Sequence, residues 1–130
     1  MDHQDVDAAV AASLKVLAPH AAEDWTVPAG PLEWTCWQTA AHIAHDLLAY
    51  AGQVAARPAD SYLPFDLTVR PAASPTEVLQ TITACGQLLS CVLAAGARGL
   101  TPSDLPGDQP GQGRLDLVRR LVSEGFLTLA

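Results

Sequence analysis

The side chains best placed to do chemistry in this chain are His42, His45 and Asp46. His45 and Asp46 lie three and four residues beyond His42 on one side of a helix, so His42 with either of them offers two donors to a divalent ion. With each residue advancing by about 100°, Gln38, His42, His45, Asp46, Ala49 and Gln53 gather on one side. Trp37, Ala40, Ala44, Leu47, Ala51 and Val54 gather on the other, so Trp37 and Leu47 are expected to be buried. On spacing alone, the first side reads more readily as a solvated helix face than as an ion site. Zinc takes three or four ligands, and the remaining histidines, His3 and His20, lie at the ends of another helix. Trp37 and Tyr50 read as core aromatics. Asp104 and Asp108 sit in a Gly/Pro-rich stretch without calcium-loop spacing and read as solvated loop charges.

The helix that must carry these residues begins at a capping box. Thr35 is placed to accept from the first free amides, and Gln38 can reach back to the cap's own N–H. The pattern runs over 35–57, where Pro58 ends it. A first helix is expected over 5–18, with Val6, Ala9, Val10, Ser13, Leu14 and Leu17 on one stripe and Asp2, Asp5 and Asp7 near its positive end. The connection from His20 to Trp34 is expected to pack an aromatic against the bundle. A third helix over 75–97 opens at a second capping box, Ser74-Pro75-Thr76-Glu77. Val78, Ile82, Cys85, Leu89 and Val92 form its stripe, widened by Leu79, Leu88 and Leu93. Between the second and third helices, Ala59 to Ala73 is apolar enough to lie over a core, with a short extended piece around Leu67–Arg70. A fourth helix is expected over 113–130, with Leu115, Val118, Leu121, Val122, Phe126 and Leu129 on one face. These elements make a single domain, 1–130, of all-α class: an up-down four-helix bundle with a foreshortened fourth helix.

Composition narrows the function classes. Seven Lys and Arg stand against fourteen Asp and Glu, for a net charge of −7. Nucleic-acid binding needs clustered cations, and anionic membranes repel such a chain. No run of about 18 consecutive apolar residues reads as a membrane span. The acidic start, MDHQDVD, does not read as a signal peptide. Cys36, Cys85 and Cys91 lack CxxC spacing and read as free, buried thiols of a reducing cytoplasm. Cys36, in the first turn of a helix, is also a candidate reactive thiol.

The stretch PLEWTCWQTAAHIAHDLLAYAGQVAAR, from Pro31 to Arg57, resembles the N-terminal metal-binding domain of the mycothiol-dependent maleylpyruvate isomerase family, one of the DinB/YfiT-like helical bundles. Trp34, Thr35, Thr39, His42, Asp46, Leu47, Tyr50, Ala51 and Gln53 carry the likeness. It continues more loosely through Tyr62-Leu63-Pro64, the third helix and Glu124-Gly125-Phe126. The resemblance implies a divalent metal, zinc, held between helices, with His42 as the ligand from the second helix. It also implies a Glu/His-x-x-x-His pair after the Glu-Gly-Phe element, and mycothiol as the thiol cofactor. No such pair follows Asp46 in this sequence. The expectation is therefore a non-catalytic binding or interaction module that has lost a complete metal site and holds no stoichiometric metal. The alternative, if the chain is a fragment, is a metal- and mycothiol-dependent isomerase or S-transferase. The uncapped, apolar end of the fourth helix is expected to leave core surface near Leu47, Val54, Leu89 and Val92 uncovered and to drive homodimerisation.

Overall fold

In a computed structural model, residues 2–59 and 62–97 are described. They form three α-helices and no strand: α1 (His3–Leu17), α2 (Cys36–Ala56) and α3 (Pro75–Ala97), with a short 3-10 turn over Ala18–His20. The fourth helical pattern, 113–130, lies outside the described residues, as do Asp104 and Asp108.

Each helix starts where its sequence supplies a cap. Asp2 accepts from the amides of Gln4 and Asp5, and Asp5 accepts from the amide of Asp2. Thr35 accepts from Gln38 N–H at 3.1 Å, and Gln38 accepts from Thr35 N–H at 2.9 Å. Ser74 and Glu77 make the same reciprocal pair. α2 ends at Arg57, whose φ of 50° turns the chain out of the helix just before Pro58.

The core is built on α3, against which both α1 and α2 pack. Val78, Leu79, Ile82, Cys85 and Leu89 of α3 are buried with Ala40, Ala44, Leu47, Tyr50 and Ala51 of α2 and Val6 of α1. The alanines on α2 let the two helices approach closely while Leu47 and Tyr50 supply apolar volume. α1 is held tightest at Gly86, where an added Cβ would lie 2.6 Å from Val10 Cγ2.

Four expectations need correction. Leu47 and Leu89 are buried rather than left uncovered. Trp37 is only half-buried, because its indole lies at the edge of the core, where Nε1 donates to the carbonyl of Ala73 at 2.8 Å. Leu88 is 51% exposed, on the flank of the α3 stripe rather than within it. Of the three cysteines, all free, only Cys85 is buried, and Cys91 is exposed. Composition also understated α3, since Pro75–Gly96 has a mean hydropathy of 1.6 and is long and apolar enough to cross a membrane. α3 packs against α1 and α2, with 39% of its most apolar window buried.

The connections hold α2 in place. Trp25 is buried, and its indole donates to the carbonyl of His20 at 3.0 Å. Backbone bonds from Ala29 to Trp34, Cys36 to Val27 and Trp37 to Trp25 tie this loop along the start of α2. On the other side, residues 62–70 cross α2 without forming a strand. Gly52 permits the crossing: a Cβ there would meet Leu63 Cδ1 at 3.0 Å and Phe65 Cε1 at 3.3 Å.

Candidate functional site

The Thr35/Gln38 capping box fixes where α2 begins, and helical spacing then delivers His42, His45 and Asp46 to one side. Their donor atoms lie within 4.8 Å of one another, a grouping able to hold a metal ion. The expected solvated face is thus only partly correct. His42 is exposed, but Asp46 is buried, at 9% exposure. A buried carboxylate is costly unless its charge is answered, and here both oxygens are answered by imidazoles. His42 Nε2 lies 3.1 Å from Asp46 Oδ2, and His45 Nδ1 lies 3.0 Å from Asp46 Oδ1.

The fourth member comes from a distant segment that the helical pattern of α2 does not reveal. His45 Nε2 lies 3.1 Å from Oδ1 of Asp66, a side chain that is 85% exposed and arrives on the crossing segment. The one local mark of that approach is Gly52, an isolated glycine inside a helical pattern. Two aromatic contacts fix the rings. Trp34 meets His42 edge-on, with centroids 4.9 Å apart and planes at 74°. His42 and His45 stack at 5.6 Å with planes 11° apart.

Both nitrogens of His45 face carboxylates, and a neutral imidazole has a single N–H to give. Only the charged ring donates to both. Burial works against that charge, but the hydrogen bonds to Asp46 and Asp66 and their negative charges outweigh it and raise the His45 pKa above its ordinary 6.5. The stabilisation from the charged ring is therefore complete below the unfolded-state value and is lost as pH rises through the higher folded one. In buffer containing a chelator, the melting temperature is expected to fall across that rise. His45→Gln should flatten the profile, and an equal fall in the variant would assign the titration to another group.

The cluster lines one end of a cavity of about 820 Å³. Ser13 of α1, Ile43 and Tyr50 of α2, and Tyr62, Leu63 and Phe65 of the crossing segment line the rest. Tyr50 is a buried core aromatic, as expected. The half-buried Cys36 has its thiol 3.8 Å from the Pro28 carbonyl, apart from the His/Asp cluster. Burial raises the Cys85 pKa, which disfavours its thiolate. No family model, curated protein or solved structure matches the chain.

Proposed function

We propose that this chain is a DinB/YfiT-like four-helix bundle that serves as a non-catalytic interaction module. In this reading the segment 113–130 closes the bundle, from its own chain or in exchange with a second copy. The cavity between α1, α2 and the crossing segment supports it. α1 and α2 both lean on α3, and about 820 Å³ bordered by Ser13, Ile43 and Tyr50 is left open, with room for several large apolar side chains. Leu115, Val118, Leu121, Val122 and Phe126 offer such side chains at helical spacing. Arg114, Arg119 and Arg120 are half of the chain's six arginines, and their sign suits Asp46 and Asp66 at the cavity's edge. Exposed Val16, Leu32, Trp34 and Leu88 supply further apolar surface for a second copy. A cytoplasmic setting goes with this reading and with the free thiols.

The metal- and mycothiol-dependent isomerase is the second reading, favoured by the place of His42 on α2. The donor set does not fit the site that the resemblance implies. Beyond Asp46 the sequence holds no histidine, so a Glu/His-x-x-x-His pair is missing. Among the described residues, the groups around His42 come instead from α2 and the crossing segment. No catalytic step is assigned.

Sedimentation equilibrium of the full chain tests the first reading. A dimer is expected at micromolar concentration, with Phe126→Ser plus Leu129→Ser raising its dissociation constant tenfold or more. A monomer whose melt ignores this double substitution would overturn the reading.

A further inference from the structure

We infer that His42 and Asp46 form a two-point chelate on α2 for one divalent transition ion of the zinc class, with His45 and Asp66 as positioning residues. This ligand pair is not the one the resemblance implies, because it needs nothing from 113–130. Nor does it rest on the interaction-module reading.

The bite is the first argument. Zinc sits about 2.0–2.2 Å from imidazole nitrogen and carboxylate oxygen. Two donors spanning about 90–110° at such an ion are separated by about 3.0–3.4 Å. His42 Nε2 and Asp46 Oδ2 are 3.1 Å apart, so the pair accepts an ion in place of the shared proton with little movement.

Orientation is the second. Asp46 is buried, and its other oxygen is taken by His45 Nδ1 at 3.0 Å, which turns Oδ2 toward His42. His45 is in turn held by Asp66 from a different segment. Metal ligands are ordinarily aimed by a surrounding shell of hydrogen bonds, and a carboxylate–imidazole–carboxylate chain serves that purpose here. Trp34 steadies the His42 ring from its outer side.

The same geometry keeps His45 out of the first coordination shell. Both of its ring nitrogens are already engaged, Nδ1 with Asp46 at 3.0 Å and Nε2 with Asp66 at 3.1 Å, so neither is left for an ion. One nitrogen and one oxygen donor favour zinc, cobalt or copper over calcium or magnesium, which take mostly oxygen. The remaining coordination positions are left for water.

His20 and Glu23 supply the comparison. They also form an imidazole–carboxylate pair, at 2.8 Å, but both are exposed, and among the described residues neither shows a brace like that of Asp46.

The test uses the full chain purified without a histidine tag. Calorimetric titration with Zn²⁺ should give one site per chain. His42→Ala and Asp46→Asn should each weaken it at least tenfold. Asp66→Asn should weaken it by about tenfold, as loss of an orienting partner does. His20→Ala and His3→Ala should leave it as it was. Histidine-selective nitrogen NMR of the unsubstituted chain gives a readout independent of any variant's folding: Zn²⁺ should shift one ring nitrogen of His42 and give no metal-type shift at either nitrogen of His45. Failure to saturate, an equal loss in His20→Ala, or metal-type shifts at both His42 and His45 would each overturn the assignment.

Discussion

Ile82→Ala is expected to lower the unfolding free energy by about 2–5 kcal/mol, the range for truncating a fully buried aliphatic side chain. Ile82 has no solvent exposure and lies on α3 between Val78 and Leu89, which are equally enclosed. Both neighbouring helices lean on α3, so no single surface can relax into the space that is lost. The contrast is Leu88→Ala, further along α3 on the exposed flank, which should stay within about 0.5 kcal/mol. Chemical denaturation measures both. Similar losses in the two variants would mean that the buried face of α3 has been assigned wrongly.

Gly86→Ala is expected to cost about 1–3 kcal/mol by overpacking, although alanine is the better helix former by about 1 kcal/mol. The added methyl would lie 2.6 Å from Val10 Cγ2 and 3.4 Å from Val10 Cγ1. Valine is stiff at χ1 and has no long end to swing aside, so α1 must shift away from α3. Val10→Ala removes the obstacle. The double variant should therefore be more stable than the sum of the single losses predicts, with a coupling of about 1 kcal/mol or more. Additive losses would show that α1 adjusts freely and that the close approach is not a constraint.

Much of this fold was legible because its signals are local. The boxes at Thr35/Gln38 and Ser74/Glu77 need only four residues each, and they start α2 and α3 where expected. The box at Asp2/Asp5 was visible only as acidic residues near a helix start, since aspartate in place of glutamate hides the reciprocal bond. The buried side of α2 followed from its period, through Ala40, Ala44, Leu47 and Ala51. Period failed where another segment intervened. By period Asp46 lies off the apolar side of α2, yet it is buried within a cluster that the segment carrying Asp66 reaches across to. A helical wheel records only a helix's own repeat and is blind to a loop that crosses it. For the same reason His42, His45 and Asp46 were legible as a group, whereas Asp66, twenty-one residues beyond His45, was not. Trp37 was misjudged because an indole that donates to a carbonyl sits at the rim of a core, where that carbonyl is.

α1 has its main partner at the far end of the described chain. Val10 meets Gly86, and Ser90 donates to the carbonyl of His3, 87 residues away in sequence. α2 and α3 follow one another and pair as neighbours. A chain is made from its N-terminus, so α1 is finished at Leu17 long before the helix it docks on begins at Pro75. During that interval Val6, Val10 and Leu14 have no α3 to cover them. Among the described helices, α1 is thus made before the one it docks on, and its acidic residues, Asp2, Asp5 and Asp7, keep an amphipathic helix hydrated while it waits.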